Sequence, residues 1–373
     1  MIRDSRLALT RREFVKSTAL GTVALGLGPT IFVPSAQEPD FAAGGFIYHP
    51  HLDPLRVVGL HDAEMITEEK PTAPWKVQEK LVRAGRVAEN IDRLACALAA
   101  EKSPKEAWKK IFLKPPGKEW NETLIAIKTN NIALQHTHSG VMTKICRVLI
   151  EEIGAKAANI FIYDGCHGGD MVKKTPFEAL PEGCNVAATW GGFAGKTRVG
   201  EPWKGGKSET ACVKPFAEAK VDILVNIALC KGHSQDYGGF TMLCKNHFGT
   251  FIPRPGHEDG GTDYLFAINK TPLVLGEIDA KESKVTFPRQ QLCLIDALWA
   301  SEDGPGCESS VQPSRLYMGT FAPVADYLVA RNFREKEMGW GLNETVTKRF
   351  LSEFGYSPDD LHDGGKIIEV ERG

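Results

Sequence analysis

At 373 residues, 42% hydrophobic and 25% charged, the chain has the composition of an ordinary globular protein with room for a sizeable core. A formal net charge of −2 at pH 7 supplies no concentrated basic face, which excludes nucleic acid as an expected partner.

The first predicted element is an address rather than part of a fold. Thr10-Arg11-Arg12-Glu13-Phe14-Val15-Lys16 has the twin-arginine layout, and a weakly apolar stretch from Ser17 to Val33 follows it. Gly21, Gly26, Gly28 and Pro29 interrupt that stretch, whereas a membrane span needs roughly 20 continuous apolar residues. Residues 1–36 therefore read as a signal peptide cleaved after Ala36, with a retained anchor as the alternative. Cleavage leaves no stable membrane span and a periplasmic protein, with the twin-arginine machinery as its export partner. It removes five basic and two acidic residues, taking 45 and 47 to 40 and 45, a formal −5. Because this route carries folded proteins, often with a cofactor aboard, a metal or redox group becomes a live expectation.

Residues 37–84 show little period and are expected to be an irregular segment packing on the body. The remainder, 85–373, reads as one main domain. Val87–Leu98 has apolar residues at helical spacing. Leu124–Ile127 is a short buried strand running into Lys128-Thr129-Asn130-Asn131. Val141–Ile153 is an amphipathic helix stopped by Gly154, and Asn159–Tyr163 is the next strand, followed by the loop Asp164–Gly169. Strand, helix and strand in that order predict a right-handed crossover between parallel strands, with functional groups at the strands' carboxyl ends. Ala187–Val213, rich in Gly and Lys, is expected to be a surface excursion. Val221–Leu229 is a long buried strand that delivers Cys230 to His233, Gln291–Ile295 is another strand with Asp296 after it, and Phe321–Phe333 is a helix. The predicted fold is α/β, a mostly parallel sheet flanked by helices.

The densest chemistry lies between Leu229 and His257, where Leu-Cys-Lys-Gly-His and Leu-Cys-Lys-Asn-His flank a Tyr-Gly-Gly turn. Cys230, His233, Cys244 and His247 offer two thiols and two imidazoles, a set suited to tetrahedral zinc or to iron. Against this, residues three apart on a strand face opposite sides, and Cys230 can equally be a buried strand residue or pair with Cys244 in a disulfide. Lys231 and Lys245 point elsewhere, since ammonium groups repel a cation. With Asn246 and the backbone near Gly249 they suit a phosphate or carboxylate, unless both are solvated surface lysines.

Lys128, Asn130, Asn131, Asp164 and Asp296 each follow a predicted strand, so a parallel sheet would gather them on one rim. Capping or turn formation is the bland role for each alone. His136 and His138, with Cys166, His167 and Asp170, make a second metal possibility. The loop His257-Glu258-Asp259 with Asp263 could take a hard cation, though it lacks the spacing of an EF-hand. The nine cysteines (96, 146, 166, 184, 212, 230, 244, 293 and 307) include no C-x-x-C, which leaves ferredoxin-type clusters and c-type haem without support. G-x-S-x-G, H-E-x-x-H, Walker and G-x-G-x-x-G patterns are absent too.

These residues resemble the domain-of-unknown-function family 362. The matching pieces are Ile127-Lys128-Thr129-Asn130, Ile153-Gly154-Ala155, Asp222 to Asn226, Lys231-x-His233, Thr241, Lys245-Asn246-x-Phe248-Gly249 and His257, then Ile295-Asp296-Ala297, Gly304-Pro305 and Gly319 to Asp326. Their order holds over roughly residues 85–360. The resemblance implies an α/β fold and no particular reaction. Family members often sit beside iron–sulfur modules, a link this chain does not inherit because it lacks the cluster-binding cysteines.

The expected function is an exported enzyme acting on a small anionic ligand, metal-dependent or redox-linked if a metal is bound. His233 serves as general acid or base, the two lysines hold the anion, and Lys128, Asn130, Asp164, Asn246 and Asp296 line the rim. The alternatives are a periplasmic protein that binds a metal or anion without turnover, and a docking partner in an exported redox complex.

Overall fold

The computed structural model describes residues 48–132, 134–166, 176–188, 190–279 and 284–371. Residues 1–36, expected to be a signal peptide, and the candidate ligands His167 and Asp170 lie outside the described residues.

Nine strands of the described residues form the main sheet: β1 (Val58–His61), β2 (Ile125–Lys128), β3 (Ile160–Tyr163), β4 (Asn185–Val186), β5 (Ile223–Gly232), β6 (Phe240–Thr241), β7 (Gln290–Ala300), β8 (Arg315–Gly319) and β9 (Ile368–Glu369). Across the sheet the order is β9-β1-β8-β7-β5-β2-β3-β4, with β6 pairing onto β5. Strands β7, β5, β2, β3 and β4 run parallel, while β8 joins β7 and β1 antiparallel. This is the expected α/β class with a mostly parallel sheet.

β5 and β7 are buried along their whole lengths, which is why both read as nearly continuous apolar runs. Alternation still sorts their side chains into two layers. Ile223, Val225, Ile227, Leu292, Leu294 and Leu298 pack with Leu94, Trp108 and Ile145. Those three come from α1 (Ala84–Ala99), α2 (Pro104–Ile111) and α3 (Ser139–Arg147). Leu224, Ala228, Cys230, Cys293, Ile295 and Ala297 pack into the opposite layer. That layer is built from α4 (Leu243–Asn246), α5 (Gly261–Asn269), α6 (Ala322–Val329) and α7 (Glu344–Ser352).

The helix predicted over Val141–Ile153 begins as α3 and continues through a π-helical turn, Val148–Glu152. Gly154 then takes φ 86°, the left-handed conformation glycine adopts without a Cβ penalty. Among the described residues no helix is long and apolar enough to cross a membrane.

Three expectations are corrected. Within 37–84, Val58–His61 is a full strand of the main sheet and Trp75–Leu81 a helix; four-residue strands are too short to show a period. Ala187–Val213 contains an antiparallel hairpin, Phe193–Trp203 with Lys207–Val213, whose Trp203, Cys212 and Val213 are buried in the second layer. Asp296 lies inside β7, four residues before its end, rather than in a loop after it.

The register sets the position of the site. Lys128, the last residue of β2, is level with Tyr163 at the end of β3 and with Asn226 of β5. β5 continues six residues further and pairs Lys231 with Thr241 and Gly232 with Phe240. A step is left above β2 and β3, walled on one side by the projecting end of β5.

Candidate functional site

Lys128 and Asp164 form the floor of that step. Both are essentially inaccessible to solvent, and Lys128 Nζ lies 3.1 Å from Asp164 Oδ1. Asp164 also accepts the Cys166 N–H at Oδ1 and the Asn131 N–H at Oδ2 (3.1 and 2.9 Å), so two backbone donors hold the carboxylate in place. Gly249 makes the arrangement possible. A Cβ there would collide with Asp164 Oδ1 and Lys128 Cε, while the Gly249 carbonyl accepts the Gly165 N–H at 2.9 Å.

Asn246 ties the floor to the neighbouring strand. Its Oδ1 accepts from Lys128 Nζ at 2.8 Å and Asn130 Nδ2 at 3.2 Å, and its Nδ2 donates to Asn226 Oδ1 and Ile227 O. Asn226 donates in turn to Leu243 O and Gln290 Oε1. The short helix α4 that carries Lys245 and Asn246 is held by Asp326 of α6, whose two oxygens accept the Leu243 and Cys244 N–H groups, each at 2.8 Å. Burial raises the Asp326 carboxyl to about 7 despite those two hydrogen bonds.

Lys231 and Lys245 are a different kind of lysine. Lys231 is fully buried, and its Nζ has no hydrogen-bond partner among the described residues. Burial drives its pKa down to about 7, with Asp164 opposing the shift and Lys128 reinforcing it. Lys245 Nζ sits 3.3 Å from the centroid of the Phe248 ring and 4.2 Å from that of Tyr237, a cation–π setting. Desolvation takes it to about 7 as well.

His233 and His257 stand at the mouth, their rings near parallel with centroids 6.2 Å apart. Desolvation and the Lys245 charge push His233 down to about 3 and His257 to about 4, so both imidazoles are neutral at pH 7. Between these groups lies a cavity of about 50 Å³, also lined by Thr241, Cys166, Ile132 and Pro305. That is room for about three or four waters or a small anion. Two larger depressions, one of about 370 Å³ over α1 and α3 and one of about 600 Å³ over α1 and the start of α2, bring together side chains of both signs without such convergence.

The fold thus brings together Lys128, Asn130, Asp164, His233, Lys245 and Asn246 around one cavity, with Lys231 enclosed beside it. It does not bring Asp296 there. Asp296 shares the face of β7 that carries Leu292, Leu294 and Leu298, and accepts from the His138 N–H (2.9 Å) with His138 Nδ1 at 2.8 Å. Burial is the largest influence on the His138 imidazole and lowers its pKa, but Asp296 and Glu79 together raise it above the ordinary value. His136 is separated from this pair and packs on Trp75, 4.9 Å between centroids.

Nor do Cys230, His233, Cys244 and His247 converge. Cys230 is still inside β5, with its side chain in the core layer, and Cys244 is buried on α4. His247 is locked in an internal network: Nε2 is 2.8 Å from Gln290 Oε1 and Nδ1 is 3.0 Å from Thr250 Oγ1, which itself meets the Tyr163 hydroxyl. Among the described residues no group of three or more His, Cys, Asp or Glu is arranged to hold a metal ion. All nine thiols are free, including Cys230 and Cys244. Asp263 pairs with Arg349 and leaves the acidic loop, while His257 joins the cavity.

Asp326, Asn226 and Gln290 carry much of the support and are not distinguished by the local pattern around Lys231 and Lys245. Only the spacing shared with family 362, which includes Asn226 and Asp326, marks two of them.

The chain matches the family model described as a domain of unknown function (DUF362) over residues 125–331, more than half of its length, and it belongs to that family. No curated protein and no solved structure matches it.

Proposed function

We propose that this DUF362 protein is an enzyme that binds a small anionic substrate between Lys231 and Lys245, and that residues 1–36 direct it to the periplasm. One observation carries the reading: the Lys231 amine is buried beside the cavity with no hydrogen-bond partner among the described residues. A buried polar group left without a partner costs about 1–3 kcal/mol, and a bound carboxylate or phosphate oxygen supplies what is missing. Lys128 does not compete for that anion, because Asp164 and Asn246 already occupy it.

The same geometry redistributes the proton chemistry. An amine near 7 exchanges protons efficiently at neutral pH, whereas an imidazole near 3 is a poor acid–base partner there. Lys231 and Lys245 take the role of proton donor and acceptor, and neutral His233 serves as a hydrogen-bonding wall. A transition metal held by cysteine and histidine forms no part of this reading. Calorimetric titration with inorganic phosphate and with oxalate tests it. Saturable binding by the wild type that Lys231→Met and Lys245→Met each weaken supports the site; equal affinity in all three proteins refutes it.

A further inference from the structure

Lys231 differs from an ordinary anion-binding lysine in ways that matter for covalent chemistry. It is anchored on the sheet, in β5 and paired across to Thr241, so its stem is held rigidly. Among the described residues its Nζ donates to no acceptor, leaving nothing there to break before the nitrogen can react. The Lys128 ammonium lies close enough to act on it, and Asp164 is the carboxylate whose charge acts on it most strongly. A lysine withdrawn from water by burial is one arrangement that activates an amine as a nucleophile. Asp164 and Cys166, whose charges act on this amine, line the cavity where a ligand would sit, and so does Thr241, the residue paired with Lys231 across the sheet.

We propose that Lys231 forms a Schiff base with the carbonyl carbon of a small oxo acid, whose carboxylate is held by Lys245. The proposal rests on the anion-binding reading above and narrows its substrate class to aldehydes or ketones that carry an acidic group. The Nζ lone pair attacks the carbonyl carbon, and the C=O π pair moves to oxygen, which takes up a proton to give the carbinolamine. Loss of that oxygen as water then forms the C=N bond. Overall an ammonium and a carbonyl become a protonated imine and one water, and the two protons lost from nitrogen leave on the oxygen. Asp164, on the cavity wall and the carboxylate that acts most strongly on this amine, is the group that relays them. No oxidant or reductant is consumed. A cavity of about 50 Å³ suits a two- or three-carbon oxo acid.

The test is reductive trapping. The wild-type protein is incubated with glyoxylate and sodium cyanoborohydride near pH 7, digested, and mapped by mass spectrometry. Trapping should place a single carboxymethyl group on Lys231 at least tenfold faster than on exposed lysines such as Lys214 or Lys348, and excess phosphate should slow it. Because the readout is the site of modification in the wild type, it does not depend on any variant folding. Modification spread over surface lysines with Lys231 untouched overturns the Schiff base. If phosphate still binds in that case, the anion site survives and only the covalent step is lost. If phosphate does not bind either, both readings fail.

Discussion

Lys128 Nζ lies 3.1 Å from Asp164 Oδ1 in a place closed to solvent, and this pair divides the lysines of the site into two classes. Lys128 is neutralised and hydrogen-bonded, so it braces the floor. Burial moves Lys231 and Lys245, at the same end of the sheet, toward neutrality, and the proposed function gives them the ligand.

Breaking the pair from either side should therefore damage folding before it damages binding. Asp164→Asn strands a buried ammonium and Lys128→Met strands a buried carboxylate. Removing one partner of a buried ion pair costs about 3–5 kcal/mol. Urea denaturation should show losses of that order for each single variant. The double variant should lose less than the sum of the two, which a double-mutant cycle reads directly.

Asp296 supplies the control. Its partners are His138 and the backbone at residues 138 and 298, away from the cavity. Asp296→Asn should lower stability by about 1–3 kcal/mol, the cost of leaving a buried donor poorly satisfied. The phosphate affinity of the folded fraction should stay within twofold of wild type. A large drop in affinity at unchanged stability would return Asp296 to the rim.

Much of this was legible from residue order alone. Strands, helices and the parallel grammar follow from apolar runs broken by Gly and Asx; Lys128, Asn130 and Asp164 stand out by being next to strand ends, and Lys245 and Asn246 by the second Leu-Cys-Lys block. Asp296 was misplaced because β7 continues through Asp296-Ala297-Leu298-Trp299-Ala300, and one buried carboxylate inside a strand looks like a strand end. Cys230 and His247 were legible as metal ligands only because spacing carries no information about facing. β5 keeps its period past Leu229 and turns Cys230 into the core, and His247 is consumed by Gln290, a partner 43 residues away. The role of Asp326 was illegible for the same reason, since it acts on α4 from 82 and 83 residues downstream.

Asp326 carries a pH prediction of its own. Its folded pKa, about 7, is above the ordinary 3.8, so the contribution it makes to stability is fully present below pH 3.8 and is lost as pH rises through 7. The difference in unfolding free energy between wild type and Asp326→Asn should accordingly shift against the wild type across the window from about pH 4 to 7. A flat difference across that window would mean that the carboxyl titrates normally in the folded protein.

Export is a separate claim with a separate test. A fusion of residues 1–36 to a reporter that is active only in the periplasm should work with Arg11-Arg12 intact and lose nearly all signal with both changed to Lys. Unchanged export by the Lys-Lys form would assign the segment to another route or to none.

The central claim is that two lysines held near neutrality wait for an anion, and proton uptake measures it most directly. A bound anion favours the charged amine, so the pKa values of Lys231 and Lys245 must rise from about 7 when phosphate or oxalate binds. Calorimetry at pH 8 in buffers of different ionisation enthalpy should report between one and two protons taken up per oxalate, and affinity should weaken as pH climbs from 7 to 9. Binding with no proton uptake, or affinity independent of pH over that range, would contradict the account.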